Sequence, residues 1–441
     1  MSPDALAVMV VQGAGLLVIA AAAVKFLYIP LALIFEGRSW RVARRNRRAA
    51  RRNHGGRNFH AGGTVRPRHR PGTGRPLVSI VVPGYNEGVV IEACVRSILA
   101  SDYPRLEIIL VDDGSTDDTA ALMASLAEHN RLVTFISKEN GGKGSALNAG
   151  IKAAKGKIML FVDADGLFAP DTVSWMVDAF DDPQVGAVCG DDRPVNLNRV
   201  QTRMLAVLSH TGTGLVRRAL SLVQCLPIVS GNSGAFRSDV VRSIGGFRED
   251  TIGEDLELTW RVHRAGYQVR FQPKALVYAE SPSTLRGLWK QRVRWSRGLL
   301  QTVRMHAGMF GSLSHGPFGV FLIFNLFSMV VVPVLQLVVL LGVVYLAARG
   351  YTLVPADAMG VIGWVGLGFA VVVTVYAIAL NGAWRDLRHL WTVPLWPLYS
   401  VMMAAVLVTA VFKEAVRAPS NWNKLQRTGV VSVDLGTGGG A

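Results

Sequence analysis

Three acidic clusters follow short apolar runs in the first half of this 441-residue chain. Residues 77–82 run into Pro83-Gly84-Tyr85-Asn86-Glu87, residues 106–111 into Asp112-Asp113 and a DGSTDD stretch, and residues 158–162 into Asp163-Ala164-Asp165. Taken singly, Asp, Asn and Ser after a strand are ordinary caps and turn formers. Gathered on one rim, their carboxylates repel unless a cation or ligand donors neutralise them. An Asp-x-Asp pair suits a hard divalent cation that also takes phosphate oxygens, as Mg²⁺ does. Such a cation offsets the charge on a departing diphosphate. The chemistry indicated is therefore metal-assisted use of a nucleotide diphosphate. Asp113 offers an acceptor to a base or ribose donor. The segment NGGKGSALN (140–148) resembles a phosphate loop but lacks the GxxxxGK[ST] spacing, which disfavours a P-loop NTPase. Its Lys143 either reaches phosphate or ribose or is a solvated surface lysine.

The elements that must position these groups read as a regular alternation. Strands are predicted at 77–82, 106–111, 132–136 and 158–162, with helices at 89–99, 119–127 and 145–154 between them. Near-continuous apolar strands separated by helices indicate a parallel sheet covered on both faces. The fold class is thus a doubly wound α/β domain, whose ligands bind at the carboxyl ends of the strands. Those ends are where the three acidic clusters fall.

Composition frames what surrounds this domain. Lys and Arg number 47 against 31 Asp and Glu, a formal charge of +16, while half of the residues are hydrophobic. Residues 36–75 hold thirteen Arg and one acid, Glu36, whereas residues 76–310 are close to neutral. A nucleic-acid-binding domain would carry the excess on itself, so no nucleic-acid partner is expected. Residues 5–24 contain one polar side chain, Gln12, and are long enough to cross a bilayer. The segment is too long for a signal-peptide core and lacks a positive leader. With the positive charge following it, the positive-inside rule puts the domain in the cytoplasm. Uncharged runs at 318–346, 361–380 and 390–412 suggest three further spans. That parity would place Lys413, Arg417, Lys424 and Arg427 outside, against the same rule. The alternative is that the last run, with Pro394 and Pro397, lies at the interface or re-enters. Three cysteines and unclustered histidines give no disulfide framework and no zinc spacing.

PGYNE, VDDGSTDDT, NGGKGSALN, DAD, SGNSGAFR (230–237), GED (253–255) and QRVRW (291–295) occur in the order found in processive family 2 glycosyltransferases, which this chain resembles. That group includes bacterial poly-N-acetylglucosamine, hyaluronan, cellulose and chitin-oligosaccharide synthases. LRGLWKQRVRW is most similar to the poly-β-1,6-N-acetylglucosamine synthases. The likeness covers about half of the chain, residues 77–302, plus the membrane pattern.

The resemblance implies a cytoplasmic GT-A domain in the bacterial plasma membrane that polymerises a β-linked polysaccharide from a UDP-sugar. It implies Mg²⁺ or Mn²⁺, a growing glycan, and accessory biosynthesis or export subunits. Pro83, Asn86, Glu87, Asp112, Asp113 and Lys143 would contact the nucleotide, with Asp163 and Asp165 at the metal diphosphate. Asp255, beside Glu254, would be the general base. Gln291, Arg294 and Trp295, with Ser230 and Gly231, would serve the acceptor and processivity. The usual Thr-Glu-Asp is here Gly253-Glu254-Asp255, so a hydroxyl is missing beside the base. The residues themselves agree, since inverting transfer needs one positioned base for the acceptor hydroxyl. Apolar residues at helical spacing over 285–303 with Arg286, Lys290, Arg292 and Arg297 make a basic amphipathic helix for a membrane surface. The expected order is an anchor (1–35), an Arg-rich linker (36–75), the catalytic domain (76–282), the amphipathic helix (283–310), a membrane region (311–413) and a tail (414–441). A non-processive enzyme adding one sugar to a lipid such as polyprenyl phosphate is the alternative.

Overall fold

The computed structural model describes residues 2–53, 74–351, 356–419 and 427–432. Part of the Arg-rich linker (54–73) and most of the tail lie outside the described residues.

The α/β part is built on β1 (Val78–Gly84), β2 (Leu106–Asp112), β3 (Val133–Ser137), β4 (Ile158–Phe161), β5 (Leu167–Phe168), β6 (Val185–Pro194), β7 (Gly234–Arg237) and β8 (Gln268–Ala279). They form one sheet in the order β3-β2-β1-β4-β7-β6-β8-β5. β1 pairs in parallel with β2 and β4, and β2 with β3. β7 runs antiparallel to both β4 and β6, and β8 is parallel to β6. The first half therefore has the doubly wound form expected, and the second half makes the sheet mixed.

Period-two alternation divides the strands between two cores. Val78, Ile80 and Val82 of β1 face one layer with Ile108 and Leu110, under Ile91, Cys94, Val95 and Ile98. Val81, Ile109 and Val111 face the other, under Ala146, Leu147, Ile151, Leu258 and Val262. Both faces are covered, which is why these strands read as unbroken apolar runs. Their carboxyl ends open on one rim.

Three helices among the described residues are long and apolar enough to cross a membrane: Pro3–Val42, Leu313–Ala348 and Trp384–Ala415. The first is broken after Lys25, and its second part begins at Tyr28. Asp4 accepts hydrogen bonds from Tyr345 (2.9 Å) and Arg349 (3.4 Å), so the start of the first helix meets the end of the second. At the catalytic end Arg218, 2% exposed, donates to Glu36 (2.6 Å) and to Asn381 Oδ1 (2.6 Å). His210 joins the same junction, with Nε2 2.8 Å from Asp386 and Nδ1 2.8 Å from the Asn381 amide. A buried guanidinium so engaged leaves uncompensated partners when removed. Arg218→Met should cost about 3–5 kcal/mol and lower the thermal midpoint of the full chain in detergent. An unchanged midpoint would mean that the junction does not hold the two parts together.

The last apolar run, itself long and apolar enough to cross a membrane, is held by polar contacts at both ends. Asp386, just ahead of it, is held by His210, and Glu414 at its far end pairs with Arg297 at 2.6 Å. Both ends thus touch elements of the catalytic side. The segment 427–432 also lies on the catalytic domain, with Ser432 N donating to Val195 O at 2.9 Å.

Candidate active site

The rim assembles from the loops that leave β1, β2 and β4. After β1, Asn86 takes a left-handed conformation (φ 54°). Its Oδ1 accepts from Thr116 N at 2.7 Å, while its own N–H donates to Ser115 Oγ at 2.9 Å. Glu87 N donates to Thr119 Oγ1 at 2.7 Å, so the β1 and β2 loops are tied together. Pro83 is buried at the end of β1. Asp112 caps the following turn through Ser115 N at 3.2 Å.

Asp113, expected at the nucleotide, is enclosed. Its carboxylate accepts from Lys138 Nζ (2.6 Å), Gly141 N (3.0 Å) and Gly142 N (2.8 Å). Gly142 then turns with φ 87°, a conformation that favours glycine, and the helix Lys143–Ala153 begins. Asp113 therefore fixes the loop that launches Lys143. Lys143 Nζ lies 2.7 Å from Asp163 and 3.1 Å from Glu254. Burial alone would lower its pKa, but Asp163, Glu254 and Asp255 outweigh this and raise it. It is a fixed positive charge.

Asp255 sits at the start of the helix Glu254–Arg264. Its Oδ2 accepts from Gly231 N at 3.2 Å, and its Oδ1 from Leu256 N at 2.8 Å. Burial, and next the neighbouring Glu254 charge, push its pKa up to about 6 against the opposing pull of Lys143 and Arg294. A carboxyl so placed is a competent proton acceptor near neutral pH. Gly231 keeps the space open: a Cβ there would stand 3.0 Å from Lys143 Nζ and 3.7 Å from Asp255 Oδ2. Ser230, Gly231, Lys143, Glu254 and Asp255 line one small cleft, floored by Leu147, Phe161, Val229, Phe236 and Phe247.

Asp163 and Asp165 each face a cation. Burial would raise Asp163, but Lys143 prevails and lowers its pKa. Asp165 is raised chiefly by burial. It accepts from Arg427 Nη2 at 2.8 Å and from Glu280 N at 3.0 Å. Arg427 Nε is also 3.6 Å from Glu87. Arg427 arrives on a segment held by Glu280, which accepts from Thr428 N (3.0 Å) and Gly429 N (2.6 Å). Two carboxylates that already attract positive charge fit a divalent cation. Among the described residues no group of three or more His, Cys, Asp or Glu forms a metal cluster. Asp163 and Asp165 would hold the ion, with phosphate oxygens and water completing its shell.

Arg427 and Glu280 were not indicated by the sequence. No motif marks them, and Arg427 counted only as a positive charge on the wrong side of a membrane. Arg427→Gln should raise Mn²⁺ affinity without donor at least about fivefold, because Asp165 loses its internal cation. Calorimetric titration of the full chain reads this, and unchanged affinity would show that the two do not compete.

Of the QRVRW residues, Arg294 acts electrostatically on both Asp163 and Asp255. Gln291 Oε1 is buried, and Trp295 is 48% exposed with Arg292 over its ring at 4.2 Å. They do not form a single cluster at Asp255.

The profile of Glycosyltransferase like family 2 matches residues 75–298, half of the chain. The chain belongs to this family. Poly-beta-1,6-N-acetyl-D-glucosamine synthase of Staphylococcus aureus (strain COL) is 34% identical over 222 residues, covering 50% of this chain and 54% of that one. The Staphylococcus epidermidis protein of the same name is 32% identical over the same shares. The chain thus matches about half the length of these curated relatives. Among solved structures, the mannosyltransferase PcManGT from Pyrobaculum calidifontis, in complex with GDP-Man and Mn²⁺, aligns with a TM-score of 0.60 at 25% identity. That match covers 90% of this chain and 99% of PcManGT. The protein is a membrane-associated family 2 glycosyltransferase with a GT-A-like domain.

Within this family 2 chain, Gly253 has a packing reason. A Cβ on it would stand 2.9 Å from Gly298 Cα and 3.0 Å from Gly298 C, which are backbone atoms of the helix Leu285–Met305. The loop that leads into Asp255 and the amphipathic helix meet backbone to backbone. A hydroxyl is nevertheless close, since Gly253 N donates to Thr251 Oγ1 at 3.2 Å and Thr251 donates to Gln301 Oε1 at 3.0 Å.

Proposed function

We propose that this enzyme polymerises a β-linked polysaccharide from UDP-N-acetylglucosamine at the cytoplasmic face of the bacterial plasma membrane and exports it. One observation carries the reading: the loop bearing Asp255 is in backbone contact, through Gly253 and Gly298, with the amphipathic helix bearing QRVRW. That contact couples the proton acceptor to the surface where a glycan would be held. The Arg-rich stretch supports the orientation.

In this reading the nucleotide lies along the rim formed by residues 83–87, 112–113 and 138–143. The acceptor hydroxyl enters the space kept open by Gly231. Asp255 takes its proton as the oxygen bonds to the anomeric carbon, and the bond from that carbon to the diphosphate breaks. Gly231 N–H holds the Asp255 carboxylate, while Lys143 and Arg294 set the local positive potential. A bound divalent cation supplies charge neutralisation on the departing diphosphate.

Because Asp255 works only when deprotonated, kcat/KM should fall tenfold per pH unit once pH drops below about 6. It should be level between pH 7 and 8. A profile flat down to pH 4.5 would remove Asp255 as the base.

The donor is tested by incubating membranes with each UDP-sugar and with GDP-mannose, plus Mg²⁺ or Mn²⁺, and measuring nucleoside diphosphate release. UDP release from UDP-N-acetylglucosamine, abolished by chelation, supports the reading. A second reading, use of GDP-mannose as the donor, is favoured by the match of PcManGT, a mannosyltransferase solved with GDP-Man and Mn²⁺, over 90% of this chain. GDP release from GDP-mannose alone would select a mannosyl donor and overturn UDP-N-acetylglucosamine.

A further inference from the structure

The helix Val216–Leu222 carries two adjacent buried arginines that engage different neighbours. Arg218 belongs to the junction with Glu36 and Asn381. Arg217 instead reaches the end of β6, where its Nη1 donates to Gly190 O at 3.0 Å and to the carboxylate of Asp192. Ser233 Oγ approaches the same two acceptors, at 3.3 Å from Gly190 O and 3.5 Å from Asp192 Oδ1. Guanidinium and hydroxyl thus share one pair of oxygens. Gly190 brings strand and loop together: a Cβ on it would stand 2.7 Å from Ala275 O and 3.2 Å from Ser233 Cβ.

Ser233 closes the loop that borders Asp255. Its O accepts from Gly190 N at 2.8 Å, and its N–H donates to Ser230 O at 3.1 Å. At the other end of the loop, Ser230 N donates to Cys189 Sγ at 3.5 Å. Residues 230–233 are therefore pinned to β6 at both ends. Between the pins, Gly231 N–H donates to Asp255 Oδ2 at 3.2 Å. The Arg217 and Asp192 side chains are only 10% and 25% exposed. A buried pair of this kind is a poor source of stability, because desolvation offsets its attraction. What a guanidinium supplies is direction, since its planar donors hold oxygens in a fixed arrangement.

We propose that Arg217 is a positioning residue for the transfer step. Through Gly190 O, Asp192 and Ser233 it fixes the 230–233 loop, so that Gly231 N–H aims the Asp255 carboxylate at the acceptor. It acts through Asp255 rather than on the substrate, and the inference rests on the reading of Asp255 as the base.

A double-mutant cycle on the full chain in detergent tests this, with kcat and KM read from nucleoside diphosphate release. The donor is UDP-N-acetylglucosamine or GDP-mannose, whichever supports turnover. Arg217→Gln should lower kcat about thirtyfold, within the range that a misplacement near 1 Å at reacting groups produces. Donor KM and nucleotide binding should stay within about twofold of wild type, as expected where only the transition state is affected. Arg217→Lys can still donate to Gly190 O and Asp192, and should recover part of the rate. In the Asp255→Asn background the same Arg217→Gln change should lower kcat by less than about twofold, because residues acting as one unit are not additive. Nucleotide binding also reports folding. Should Arg217→Gln not fold, Ser233→Ala decides, with a smaller kcat loss that is likewise absent from the Asp255→Asn background. Unchanged kcat in a folded Arg217→Gln would overturn the proposal, as would the full loss repeated in the Asp255→Asn background or an equal loss of nucleotide binding. Ordinary turnover in Asp255→Asn alone would remove the base itself, and the positioning role with it.

Discussion

Asp255→Asn is expected to lower turnover about 10³-fold while leaving nucleotide and cation binding within about twofold, an effect of the size that general bases contribute. The substitution keeps the shape of the side chain and removes its ability to take a proton. Two of the groups that hold Asp255, Gly231 N and Leu256 N, are hydrogen-bond donors aimed at its carboxylate. The amide can accept only one of them, so the ring of contacts loosens slightly. Asp163 and Asp165 make none of those bonds, and Lys143 keeps its contacts to Asp163 and Glu254. Binding therefore survives where chemistry does not. A variant with ordinary turnover would remove Asp255 from the mechanism, whereas equal losses of turnover and nucleotide binding would make it a structural residue. Single-turnover rates beside nucleotide titration separate these outcomes.

Gly253→Thr restores the residue usual in related sequences, yet it is expected to lower activity about 10²-fold. The atoms that its Cβ would meet, Gly298 Cα at 2.9 Å and Gly298 C at 3.0 Å, belong to a helix backbone and have no rotamer to change. Either the helix bearing QRVRW shifts or the start of the Asp255 helix does. A displacement approaching 1 Å at reacting groups costs on the order of 10²-fold. Gly298→Ala meets the same contact from the other side, its Cβ falling 2.8 Å from Gly253 Cα, and should behave alike. Product length should shorten in both variants. Full activity in both would mean that this contact does not position the catalytic loop.

The first four strands and the three acidic clusters were readable because their causes are local. A strand buried on both faces must be continuously apolar, and the turn that ends it must be polar. The roles of individual carboxylates were less readable. Asp113 looked free to meet a nucleotide, but its partners Lys138, Gly141 and Gly142 lie 25 to 29 residues downstream. Arg427 pairs with Asp165 across 262 residues, a closeness that no spacing rule encodes. The second half of the sheet was illegible for a related reason. β5 is two residues long, and β7 runs against its neighbours on both sides, so neither strand carries the βαβ pattern. The last apolar run had the composition of a span, and its polar contacts through Asp386 and Glu414 appear only in three dimensions.

The most direct test of the central claim is product size at low conversion. Membranes containing the full chain are given limiting labelled UDP-N-acetylglucosamine with Mg²⁺, and the product is sized when a small fraction of donor has been used. The account predicts long β-linked chains alongside unextended acceptor, because each glycan stays on the enzyme through many transfers. A population of lipids each carrying a single sugar, evenly spread over the acceptor, would contradict it.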